Sequence, residues 1–139
     1  MPIQTLLGFD YGEQRIGVAK GQTLTGQANA LTTLNAVKQK PDWQKIEQLI
    51  KEWQPDALIV GIPTYLDGKA SEMTKKAERF SRQLEGRFQL PVHTVNESLT
   101  SFEAEEYLKQ SKKIHQQNKQ EIDKIAAAII LQSWLEQNT

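Results

Sequence analysis

The chain has 139 residues, with 17 basic and 17 acidic side chains, 38% hydrophobic residues and no cysteine. A chain of this length buries roughly 70% of its unfolded surface without staples, so one domain over residues 1–139 is expected. The missing cysteines exclude disulfides and thiolate metal sites, and the balanced charge excludes a global positive field that would hold nucleic acid indiscriminately.

The first apolar run, Thr5 to Phe9, reads as a buried strand that ends on a carboxylate, Asp10. Tyr11 to Gln14 then turn the chain into a second strand, Arg15 to Gly21. A lone aspartate before a turn more often bonds its own backbone two residues on. At the end of a central strand, however, a carboxylate is costly to bury unless a cation or donor sits beside it. Gly12 and Gly17 are read as positions that permit positive φ and close backbone approach. Gln27 to Leu34 is the third strand, reached through the glycine- and threonine-rich Gln22 to Gly26.

From Pro41 to Trp53 the period changes. Trp43, Ile46, Leu49, Ile50 and Trp53 recur at three and four, which predicts an amphipathic helix and makes both tryptophans core residues, not base-stacking platforms. Ala57 to Ile62 is continuously apolar, as in a strand covered on both faces, and Pro63 to Gly68 is a loop. A helix over Ser71 to Phe88 carries Met73, Ala77, Phe80 and Leu84 inside and Lys75, Lys76, Arg79 and Arg82 outside, where charges are usually just solvated. Pro91 to Asn96 is a fifth strand, with Val92, Thr94 and Asn96 on one side and His93 and Val95 on the other.

A third helix is expected over Ser101 to Gln110, with Thr100 as N-cap, then a polar, basic loop over Ser111 to Lys119. The last helix, Gln120 to Glu136, is apolar nearly all round from Ile125 to Leu131 and should be buried, with Ala126, Ala127 and Ala128 letting it lie close to a sheet. The order is βββ-α-β-α-β-α-α. It implies an α/β fold with a mixed five-stranded sheet, three antiparallel strands then two parallel, and helices on both faces.

That topology brings Glu97, just after the fifth strand, toward Asp10, because both close strands running the same way. Asp123 is the third acid. It shares a helix face with Ala126, Ala127, Ile130 and Trp134, so it points inward at the helix's upper end. Alone, an acid there is a favourable partner of the helix dipole. Three converging carboxylates repel one another unless cations lie between them. Only His93 and His115 offer imidazole, so oxygen ligands select Mg²⁺ or Mn²⁺. Two such ions about 4 Å apart suit phosphodiester hydrolysis.

Gly8-Phe9-Asp10-Tyr11-Gly12, Arg15 to Ala19, Val60-Gly61-Ile62-Pro63 with Asp67-Gly68, Glu97 to Ser101, and Ile122-Asp123 running on to Leu131 resemble the YqgF family, in order and over almost the whole chain. The resemblance implies an RNase H-like fold and a metal-dependent nuclease. Members are described as Holliday-junction resolvases and as nucleases processing the 5′ end of pre-16S rRNA in ribosome biogenesis. The family's acidic trio falls on Asp10, Glu97 and Asp123, and Lys119 matches a basic position before the last acid. The implied partners are structured RNA or branched DNA, and pre-ribosomal particles. Where members read Asp-Glu-Arg, this chain has Asn96-Glu97-Ser98. An acid and a bidentate phosphate clamp are missing, which either weakens the grip on substrate or shifts that role to Arg15, Lys112 or Lys113.

Two other readings stay open. One is a catalytically silent RNA- or ribosome-binding module; the other is a nucleotide-binding ATPase-like domain, against which stands the absence of a second glycine-rich phosphate loop. The apolar run Ile125 to Leu131 is short of the ~20 residues that span a bilayer, and no signal-like segment precedes Leu6, so the expected location is the cytoplasm, as monomer or homodimer.

Overall fold

The computed structural model describes residues 4–38, 40–63, 71–96 and 119–138. Its strands are β1 (Thr5–Asp10), β2 (Arg15–Gln22), β3 (Gln27–Asn35), β4 (Ala57–Ile62) and β5 (Val92–Asn96). The helices are α1 (Trp43–Trp53), α2 (Glu72–Phe88) and α3 (Lys119–Asn138). The expected helix over Ser101 to Gln110 and its Thr100 cap lie outside the described residues. Lys119, expected to close a loop, already opens α3.

The five strands form one sheet in the order β3-β2-β1-β4-β5. β1 pairs antiparallel with β2 and parallel with β4, and β4 pairs parallel with β5. β1 is therefore central, and its carboxyl end opens beside that of β4.

Alternation along each strand assigns the two faces. Leu7, Phe9, Ile16, Val18, Leu58, Val60 and Ile62 look toward α1 and α2, where they pack with Ile46, Ala77, Phe80 and Leu84. Each large apolar side chain fully buried there contributes about 1.5–3 kcal/mol. Phe80 stands at the centre, edge-on to Phe9 at 5.8 Å and stacked on Trp43 at 5.6 Å. Trp43 and Trp53 pack against this core as expected, each covered by a cation, Arg87 over Trp43 and Lys20 over Trp53.

The opposite face is rich in small residues, beside Leu6, Ile59 and Val95. Gly8, Gly17, Ala19, Gly21, Ala57 and Gly61 come from three adjacent strands, and α3 lies across them with Ala127, Ile130 and Leu131. A Cβ on Gly8 would stand 2.9 Å from the Leu131 Cβ, and one on Gly61 would overlap the Ile130 side chain. Without side chains at these points the helix axis settles close to the sheet. Gln132 fixes its position along the sheet: its carbonyl accepts from the Ala28 N–H and its amide donates to the Gly26 carbonyl, both at 2.9 Å.

Gly12 and Gly17 do not supply positive φ, contrary to expectation; among the described glycines only Gly26 does, at 67°. They supply the other expected property, close backbone approach. Among the described residues, the left-handed ones that are not glycine are Lys38, Gln54 and Gln89. Gln54 and Gln89 end α1 and α2, where a left-handed cap satisfies the last helical carbonyls.

α2 opens with a reciprocal capping box between Ser71 and Thr74, and the Thr74 hydroxyl also bonds the Pro63 carbonyl, joining the end of β4 to the helix. Ala77, Phe80 and Leu84 form its inner stripe as expected. Met73 departs from that stripe: it is half-buried and lines a cleft at the end of the sheet.

Candidate metal centre

Asp10 has the parity of Leu6 and Gly8, so its side chain belongs to the face that α3 covers. Its register partner across the ladder is Gly17. A Cβ on Gly17 would fall on the backbone carbonyl of Asp123. The missing side chain thus brings the first turns of α3 down onto the end of β1, and two acids 113 positions apart in sequence become electrostatic neighbours.

The Asp10 carboxyl is pushed up from 3.8 to about 7, first by burial and then by the negative charge of Asp123. Among the described residues no cation or donor offsets these two influences. Asp123 is a quarter or less exposed and already has a cation: Arg15 Nε donates to its Oδ2 at 2.6 Å. Arg15 Nη1 also reaches the Gln14 side-chain carbonyl at 3.4 Å.

The turn between β1 and β2 is held at several points. Lys76 of α2 pairs with Glu13 at 2.7 Å, the Ala36 N–H donates to the Gln14 carbonyl at 2.8 Å, and Tyr11 packs on Phe80 with ring centroids 5.1 Å apart. These contacts fix the segment that follows Asp10. Gly12 is needed because a Cβ there would approach the Arg15 carbonyl to 2.6 Å.

In front of the turn lies a cleft of about 550 Å³ lined by Gly12 to Arg15, Ala36, Lys38, Met73 and Asp123. Asp10 is mostly buried and does not line it. Lys38 was not picked out from the sequence. It stands on the rim in the left-handed region at φ 53°, in a short loop closed by the Val37 and Lys40 bridge. A positive φ at a lysine leaves no trace in a sequence pattern.

The described acids suit an oxygen-preferring divalent cation. A buried carboxyl with a raised pKa, facing a second carboxylate and no cation of its own, is stabilised as the anion once positive charge is added. Glu97, the third expected acid, lies outside the described residues; β5 ends at Asn96, one residue before it. Among the described residues no group of three potential ligands comes together. Lys112 and Lys113 are also outside the described residues, and of Lys119 only the backbone, opening α3, is described.

Residues 4–137 match the family described as "RuvX: Holliday junction resolvase". The chain belongs to the RuvX family. A relative in Pseudomonas putida, named "Putative pre-16S rRNA nuclease", is 52% identical over 138 residues, covering 99% of this chain and 98% of that one. One in Azotobacter vinelandii with the same name is 52% identical over 130 residues, covering 94% and 92%.

The RuvX chain also shares its fold with solved resolvases. Thermus thermophilus RuvC in complex with a Holliday junction substrate superposes with TM-score 0.54 and 14% identity, over 96% of this chain and 94% of that one. Fowlpox virus resolvase with Holliday junction DNA superposes with TM-score 0.57 and 10% identity, over 96% and 97%. At such identities the likeness concerns the backbone: an RNase H-like sheet whose central strand ends at the cleft.

Proposed function

We propose that this RuvX chain is a single-domain, divalent-metal-dependent nuclease that hydrolyses phosphodiester bonds in structured nucleic acid. Asp10, Glu97 and Asp123 are its catalytic, metal-holding acids. The observation that carries this reading is the buried Asp10 carboxyl beside Asp123, two acids that the fold presses together at the end of its central strand. Relatives about half identical over nearly their whole length carry the pre-16S rRNA nuclease name, which favours precursor rRNA, processed at its 5′ end in the cytoplasm, over a DNA junction.

Mg²⁺ or Mn²⁺ held there would neutralise charge on the scissile phosphate and lower the pKa of the attacking water. The chain's own groups do the rest. Asp10 is fixed by the clamped turn that follows it, and Asp123 by the close seat of α3 on Gly17. Arg15 and Lys38 line the cleft as phosphate donors, with Lys112, Lys113 and Lys119 extending the contact along the nucleic acid.

The test is a paired cleavage assay on a structured precursor rRNA fragment and a four-way DNA junction with Mg²⁺ or Mn²⁺. Shortening of the RNA at its 5′ end is expected, stopped by a chelator and by Asp123→Asn or Glu97→Gln. RNA that is retained in a shift assay but never cut would instead establish a silent binding module.

The cleft rim has its own readout. Asparagine tolerates a positive φ, so Lys38→Asn removes a charge with little backbone penalty. The slope of log K against log salt for RNA binding should flatten by about 0.7–0.9, the share of one phosphate contact, with Tm unchanged. An unaltered slope would remove Lys38 from the interface.

A further inference from the structure

Resting on the nuclease reading, we infer that Arg15 is an exchangeable counter-ion: it holds Asp123 in the metal-free protein, yields that carboxylate to an arriving divalent cation, and is thereby released to grip a substrate phosphate. Three observations converge on it. Asp123 lines the cleft and Asp10 does not, so a cation arriving through the cleft meets Asp123 first. It meets that carboxylate already engaged, since Arg15 Nε lies 2.6 Å from Oδ2. Arg15 lines the same cleft, so a guanidinium displaced from Asp123 is already where a phosphate would sit.

The geometry separates what moves from what stays. The backbone of Asp123 is seated on Gly17, and that of Arg15 begins β2 within the sheet. Exchange therefore needs only side-chain rotation at Arg15, whose side chain is 26% exposed and has the cleft to turn into. A guanidinium 2.6 Å from Oδ2 occupies that oxygen and repels a second cation brought to the same carboxylate, so the two compete for Asp123. A planar guanidinium then offers paired N–H groups to phosphate oxygens, which a lysine at this position would not. Metal loading and substrate grip are coupled through one arginine.

The inference is tested by Mn²⁺ binding, followed by loss of the free-ion electron paramagnetic resonance signal, on the wild type, Arg15→Gln and Lys76→Gln. Arg15→Gln should bind Mn²⁺ roughly three- to tenfold more tightly, since no ion pair has to be broken. Lys76→Gln removes a charge from the same region but pairs with Glu13, and should stay within about twofold of wild type. RNA binding in an Asp10→Asn background gives a second readout in a protein whose Asp123 and Arg15 are intact. There, adding Arg15→Gln should weaken binding several-fold with Ca²⁺ present and hardly at all with chelator.

Equal or weaker Mn²⁺ binding by Arg15→Gln, or an equal gain in Lys76→Gln, overturns the exchange while leaving the nuclease reading intact. A wild type that binds no Mn²⁺ overturns both. Should Arg15→Gln not fold, Arg15→Met, which removes the charge and keeps a long side chain, serves the same comparison, with tighter Mn²⁺ binding than wild type again expected.

Discussion

Asp10→Asn is expected to abolish cleavage, by 10³-fold or more, and to make the metal-free protein more stable at neutral pH. Both outcomes follow from one property of the wild-type carboxyl, held at about 7 by burial and by Asp123. Below about pH 4 the group is protonated in the folded and unfolded chains alike, and its ionisation contributes nothing. Between pH 4 and 7 the unfolded chain releases the proton while the folded one keeps it, so stability falls as pH rises. Above 7 both are ionised and the full penalty is present, on the order of 4 kcal/mol at most.

An asparagine carries no such penalty. Melting curves of wild type and Asp10→Asn in chelator should therefore nearly coincide at pH 4 and separate as pH rises. The gap should level off above 7 at several degrees in Tm. Mg²⁺ should narrow it by raising the wild type more than the variant, which keeps Asp123 but lacks the second acid. A variant less stable than wild type at pH 8 in chelator would mean that Asp10 makes a structural hydrogen bond, and the metal reading would lose its main support.

Gly17→Ala is expected to be the most damaging small substitution outside the acids themselves. The added methyl would lie on the Asp123 carbonyl and within 3.0 Å of the Lys124 nitrogen, which are backbone atoms of a helix docked across the sheet. Rotation of a side chain gives no relief; the start of α3 has to lift. A cost of about 3 kcal/mol or more follows, at the upper end of overpacking effects. Any molecule that still folds should bind Mn²⁺ more weakly, because Asp123 has moved away from Asp10.

Two other glycines calibrate this. At Gly61 the obstruction is the Ile130 side chain, which can shift, so Gly61→Ala should cost less. At Gly86 nothing lies within 4 Å, so Gly86→Ala should stabilise α2 by roughly 0.5–1 kcal/mol. Urea unfolding of the three variants tests that order. Gly17→Ala falling within 1 kcal/mol of wild type would show that the seat of α3 is looser than the structure has it.

Sequence alone determined the sheet and most of the helices, because their signals are local. The unbroken apolar run of β4, the three-four spacing of α1 and α2 and the alanine-rich stretch of α3 each reflect a burial pattern that the neighbouring residues repeat. It also picked out Asp10 and Asp123, acids at the ends of apolar elements where water is scarce. The strand order added Glu97, which the family resemblance repeats and which lies outside the described residues.

What only the tertiary structure decided is how those acids are held. Glycines 12 and 17, expected to permit positive φ and close backbone approach, do only the second, leaving space for the backbones of Arg15 and Asp123, and a sequence pattern does not say what occupies the space beside a glycine. Arg15, expected to meet substrate, is found bonded to Asp123. Lys38 joins the cleft through a left-handed turn. Each of these depends on residues tens of positions apart approaching within a few ångströms, and such contacts arise only when the faces of the sheet have been covered.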